Sequence, residues 1–184
     1  QVAHCTLAAP LADERSFLLS LNALIPDDIR VLAVKAVDSC FHARYSAKGK
    51  VYHYYICTAL VQDPFSMPFA HHIRGCFDIA SLEAAAESFV GEHDFTSFSN
   101  SANEGMAAKN PIRNIHRLDI LRTNEGICLV FEGNGFLYKM VRNIVGTLIA
   151  IARGKVEISD IADIFAARDR RRAAAAAPAK GLFL

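Results

Sequence analysis

Lys50-Val51-Tyr52-His53-Tyr54-Tyr55-Ile56-Cys57 alternates two sets of side chains, Tyr52, Tyr54 and Ile56 on one side and Val51, His53, Tyr55 and Cys57 on the other. A period of two belongs to a β-strand with one face against a core. A loop with Pro64 and Pro68 follows, and then the period changes. Leu82, Ala85, Ala86, Phe89 and Val90 recur at helical spacing over Ile79 to Val90, with Asp78 placed to cap the first turn and Gly91 just past the last. Arg113 to Arg122 and Gly126 to Glu132 read as two strands joined by the turn residues Thr123-Asn124-Glu125-Gly126. Phe136 to Arg153 reads as a long helix ending at Gly154, Ile158 to Arg168 as a shorter one, and Leu182 to Leu184 as the start of a last strand.

From Lys50 onward the order is therefore β-α-β-β-α-(α)-β, the split β-α-β arrangement of ferredoxin-like folds. Upstream, Gln1 to Leu7 alternates like a strand. Phe17, Leu18, Leu21, Leu24 and Ile25 keep helical spacing until Pro26, and Ile29 to Val37 is apolar and β-branched. This β-α-β matches the second half of another such unit, with its first half expected before Gln1. The fold class expected is α+β: two ferredoxin-like units, residues 1–40 and 41–184, sharing one mostly antiparallel sheet, the first unit incomplete. The non-methionine start and the apolar end Gly181-Leu182-Phe183-Leu184 add the expectation of a chain cut within a structural element.

With 184 residues, 52% of them hydrophobic, the chain can bury a real core, which excludes disorder, and its longest apolar runs are too short to cross a bilayer. Five scattered cysteines and no Cys-x-x-Cys pair point to a reduced, cytosolic setting and away from a structural metal. The net charge of +1 hides an uneven distribution. Asp78, Glu83, Glu87, Glu92 and Asp94 stand together without a basic residue, whereas Arg30, Lys35, Arg44, Lys48 and Lys50 face only Asp38 over residues 29–58. The basic stretches could serve a polyanion, or could be ordinary solvated faces.

Arg142 is the most informative single residue. It interrupts the helix Phe136-Leu137-Tyr138-Lys139-Met140-Val141-Arg142-Asn143-Ile144-Val145-Gly146, which is apolar around most of its circumference. A buried guanidinium requires a carboxylate or equivalent partner; the alternative is escape through a polar stripe with Lys139 and Asn143. Tyr52 and Tyr54 are either core aromatics or a stacking platform for a base, with Lys48 and Lys50 just before them. Gly133-Asn134-Gly135 lacks the third glycine and the crossover of a dinucleotide fingerprint. Arg170-Arg171-Arg172 reads more readily as a solvated helix end or loop than as an RNA contact.

Five segments, in order, resemble the TruA-type tRNA pseudouridine synthases: Phe41-His42-Ala43-Arg44-Tyr45-Ser46-Ala47 with Tyr52-His53-Tyr54; His93-Asp94-Phe95-Thr96-Ser97-Phe98; Asn110-Pro111-Ile112-Arg113; Phe136 through Gly146; and Ala177-Pro178-Ala179-Lys180-Gly181-Leu182-Phe183-Leu184. The resemblance implies a pseudouridine-synthase-like fold and a cytoplasmic homodimeric isomerase that acts on the anticodon arm of tRNA, with no metal or organic cofactor. It implies an aspartate, in a Gly-Arg-Thr-Asp segment, that attacks or assists at the ribose while the glycosidic bond breaks. The uracil then rotates and rejoins through carbon.

The family's base-stacking aromatic matches Tyr52, its aspartate-pairing arginine matches Arg142, and Leu182 falls in the segment that walls its pocket. Residues expected at the RNA are Arg44, Lys50, Arg113, Lys139 and Asn143. No Gly-Arg-Thr-Asp occurs in these 184 residues. In the family that segment lies upstream of a glutamine matching Gln1, so the chain by itself is expected to be inactive. The alternative expectation is a non-catalytic RNA-binding module.

Overall fold

A computed structural model describes residues 1–100 and 110–184. The chain divides into two compact units, Gln1–Ala47 and Lys48–Leu184. In the first, the one regular element is helix α1 (Glu14–Leu24), started by Asp13, whose carboxylate accepts from the backbone N–H groups of Arg15 and Ser16. The strands expected over residues 1–7 and 29–37 are absent. A strand needs a ladder partner, and neither stretch finds one among the described residues; Leu32 stays 90% exposed and Val2 72%. Alternation alone does not make a strand.

The second unit carries one sheet of six strands: β1 (Lys50–Cys57), β2 (His71–His72), β3 (Gly91–Asp94), β4 (Ile112–Thr123), β5 (Gly126–Gly133) and β6 (Leu182–Phe183). Across the sheet the order is β6, β1, β5, β4, β3, with β2 extending the β6 edge of β1. Every pairing is antiparallel except β1 with β2. Set aside the short β2 and β3, and the order β6-β1-β5-β4 is the split β-α-β arrangement expected. β2 and β3 are too short to show a period, which is why alternation does not reveal them.

Helices α2 (Ile79–Glu87), α3 (Met140–Ala152) and α4 (Asp160–Ala167) bury Leu82, Ala85, Ile144, Leu148, Ile161 and Ile164 in one core with Tyr54, Ile56, Leu129 and Phe131 of the sheet. Helix boundaries differ from the periodic reading for local reasons. Past Glu87, the N–H groups of Ser88, Phe89 and Val90 reach back three residues instead of four, tightening the end of α2 before Gly91 turns at φ +105°. The long helix starts at Met140 and not at Phe136, because Lys139 sits in the left-handed region at φ 59° and cannot continue a helix backwards.

The segment His93 to Phe98 is a structural clasp. Phe95 and Phe98 join Phe89 and Phe165 in an aromatic cluster with ring centroids 5.0 to 6.3 Å apart. Asp94 pairs with Arg168 at 3.0 Å, and Ser97 Oγ donates to Ile164 O while accepting from the backbone N–H of Asp169. This ties the end of α4 to the sheet and sets the course of the chain that follows.

Candidate active site

That following chain, Ala173 to Pro178, is a strap laid along α3. Four helix positions hold it: Arg142, Asn143, Gly146 and Thr147, which form one stripe at i, i+1, i+4 and i+5. Arg142 Nε donates to Ala177 O at 2.7 Å, and the Ala177 N–H returns a bond to Arg142 O at 2.9 Å. The Thr147 hydroxyl accepts from the backbone N–H of Ala174. Gly146 lets the strap touch the helix backbone: a Cβ there would overlap Ala175 O and stand 3.2 Å from the Ala177 nitrogen.

Arg170 fastens the strap's start. Its guanidinium donates to Ala173 O and Ala174 O and, through Nη2, to Asn143 Oδ1 at 2.9 Å. Asn143 is 0% exposed, and its amide NH2 donates to Phe98 O and Asn100 Oδ1. The expectation that Asn143 contacts RNA is therefore corrected: its side chain is enclosed and committed to neighbours. Arg170 departs from the solvated reading of its basic run for the same reason, whereas Arg171 is exposed and paired with Asp169 at 2.8 Å.

Three of the residues expected at the site meet around Tyr54. Tyr54 lies opposite Leu182 in the β1–β6 register, and its hydroxyl donates to Pro178 O at 2.8 Å, next to the carbonyl that receives Arg142. Tyr52, two residues earlier on the same strand face, packs edge-on against Phe136 with centroids 5.2 Å apart. Tyr54 is fully buried, so Tyr52 alone can offer a ring to a base. Burial pushes the phenol pKa of Tyr52 up and that of Tyr54 higher still, so both are neutral near pH 7.

Arg142 is half-buried, and among the described residues no carboxylate lies within 4 Å of it. Among the described residues its Nε alone finds a partner, and the planar Nη fork has the geometry of a bidentate carboxylate site. Lys50 starts β1 opposite Gly133, Lys139 precedes α3 with Nζ 5.4 Å from the Tyr138 ring, and the Arg113 guanidinium passes beside Gly135. Lys50 begins the strand that carries Tyr52, two residues before it. Arg113 is folded onto Asn110 O and Ile112 O. Arg44 belongs to the other unit, exposed, with its guanidinium 5.9 Å from the Tyr45 ring centre.

The family profile described as tRNA pseudouridine synthase matches residues 85–184. The chain is 53% identical over 166 residues to tRNA pseudouridine synthase A 1 of Protochlamydia amoebophila (strain UWE25), covering 90% of this chain and 65% of that protein. It is 37% identical to tRNA pseudouridine synthase A 2 of the same organism, covering 100% of this chain and 70% of the relative. To tRNA pseudouridine synthase A of Exiguobacterium sp. (strain ATCC BAA-1283 / AT1b) it is 39% identical, covering 100% of this chain and 72% of the relative. The chain thus spans about two thirds of the length of these relatives.

Proposed function

Because the chain belongs to the tRNA pseudouridine synthase family, we propose that the protein containing it isomerises uridine to pseudouridine in the anticodon arm of tRNA. The observation that carries this reading is Arg142: a guanidinium anchored through Nε on Ala177 O, next to the carbonyl that takes the Tyr54 hydroxyl, with no partner at its Nη fork among the described residues. A fork of that kind holds a carboxylate in one orientation. We assign that carboxylate to the aspartate of a Gly-Arg-Thr-Asp segment outside these 184 residues.

In this reading the aspartate assists departure of uracil from the ribose, and Arg142 fixes its position. Tyr52 stacks on the uracil and, once the turned ring has bonded to the ribose C1′ through C5, its phenol oxygen helps pass on the C5 proton, while Leu182 walls the pocket. Neutral phenol suits Tyr52 for stacking, since a tyrosinate would repel the phosphates around it. Lys50, Arg113 and Lys139 are proposed to take phosphates, and so, within its own unit, is Arg44.

Tritium release from tRNA labelled at uridine C5 tests the assignment. In the complete protein, Arg142→Ala should lower kcat/KM by about 3 kcal/mol of transition-state stabilisation, because it strands a carboxylate. Tyr52→Phe should keep tRNA affinity within about threefold, since the stacking face remains. Unchanged turnover in Arg142→Ala, or a collapse of affinity in Tyr52→Phe with normal turnover, would remove the residue concerned from the site.

The protein is further proposed to act in the cytoplasm as a homodimer. Supporting this, all five cysteines are free, and no helix among the described residues is long and apolar enough to cross a membrane. Light scattering should return twice the protomer mass; a monomer at micromolar concentration would refute the dimer.

A further inference from the structure

Helix α3 carries Arg142 in its first turn and Arg153 as its C-cap, eleven residues and about 16 Å further along. At that far end three chain segments bring cations together. Arg153 Nη2 donates to Arg74 O at 2.8 Å, just beyond β2 with its His71-His72 pair. Lys180 Nζ donates to Met67 O at 2.9 Å from the turn before β6. The three long side chains are exposed, and among the described residues none has a carboxylate within 4 Å. Asp78, four residues after Arg74, is turned instead to Ala80 N and Ser81 Oγ at the start of α2.

By contrast, Arg117, Arg122, Arg168 and Arg171 of the same unit are each paired with Asp or Glu. The exposed Arg74, Arg153 and Lys180 have no such partner among the described residues. The consequence is felt at His71, whose imidazole pKa is held down by burial and by the charges of Lys180, Arg153 and His72. A self-repelling group of cations spread over an open surface suits an extended polyanion better than a small enclosed anion.

We propose that Arg74, Arg153 and Lys180 form a second phosphate contact for the RNA substrate, at the opposite end of α3 from the base-binding residues. This rests on the tRNA-directed reading above and adds to it: one rigid helix links the pocket arginine to a backbone clamp, so RNA held at both ends is fixed in register with the pocket. None of these residues touches the reacting base. They position substrate through the phosphate backbone, which carries orientation and not sequence.

The test uses the complete protein and unmodified tRNA, with affinity measured between about 50 and 200 mM salt. Each phosphate contact contributes about 0.9 to the slope of log affinity against log salt, so Arg74→Gln/Arg153→Gln/Lys180→Gln should flatten that slope by about 2 to 3. The double variant Arg74→Gln/Lys180→Gln, which leaves the α3 cap intact, should flatten it by about 2. At saturating tRNA, kcat should stay within about twofold while KM rises.

Arg117→Gln, whose guanidinium is already paired, serves as the control and should leave the slope unchanged. RNA should also raise the His71 pKa, read by NMR, as phosphates offset the surrounding charge. Slopes equal to wild type in both multiple variants would overturn the proposal. Absence of tritium release by the unsubstituted protein would instead overturn the pseudouridylation reading, with the binding slopes still deciding whether this patch holds RNA.

Discussion

Gly146 is where a single methyl group would reach furthest. Its Cβ would push Ala175 and Ala177 off the helix, and Ala177 holds the carbonyl that anchors Arg142. Gly146→Ala should therefore cost about 1–3 kcal/mol in urea unfolding, as overpacking does, and should lower kcat more than tRNA affinity. A variant with normal stability and turnover would show that the strap is not what holds Arg142. At this scale the sequence was informative about Arg142, because a guanidinium on a nearly all-apolar helix needs a reason. It was misleading about Asn143, which looked like part of a polar stripe to solvent. The partner it serves, Ala173 to Pro178, is a run of small residues whose side chains carry no signal; its backbone carbonyls do the bonding. Arg170 was obscured in the same way, one arginine of three with only its burial setting it apart.

Gly126 plays at the level of elements the part that Gly146 plays for one side chain. It closes the β4–β5 turn directly against β1, where a Cβ would overlap Ile56 O and lie 2.9 Å from Thr58 N. Gly126→Ala should loosen the β1–β5 ladder, and hydrogen exchange should show faster opening of Ile56 and Cys57 than of the β4–β5 amides. Uniform exchange across β1, β4 and β5 would contradict that. Long elements with a face on the core were legible, since burial imposes a period: β1, the β4–β5 hairpin, and α1 through α4 were all expected within a few residues. Elements defined by pairing were not. β2 and β3 have too few residues for a period, and the alternation at residues 1–7 and 29–37 had no ladder to join. The left-handed Lys139 could not be foreseen, since lysine has no preference for φ 59°.

For the molecule as a whole, buried phenols and thiol set a limit at high pH. Tyr52, Tyr54 and Cys128 all have pKa values raised by burial, so the fold favours their neutral forms. A raised pKa in an acid contributes stability that is present below the unfolded value and lost as pH rises through the folded one. Urea midpoints should accordingly fall as pH climbs past about 10, the ordinary phenol value, with late tyrosinate absorbance; constant midpoints to pH 12 would show that these groups are hydrated. The central proposal is that an aspartate of a Gly-Arg-Thr-Asp segment pairs with the half-buried Arg142, whose Nε is held by Ala177 O. Tritium release from C5-labelled tRNA decides this most directly. The 184-residue chain alone should release none, the same chain joined to a Gly-Arg-Thr-Asp segment should turn over, and Arg142→Ala should cut that turnover by about two orders of magnitude. Turnover by the 184 residues alone would contradict the assignment of the missing carboxylate and, with it, the role given to Arg142.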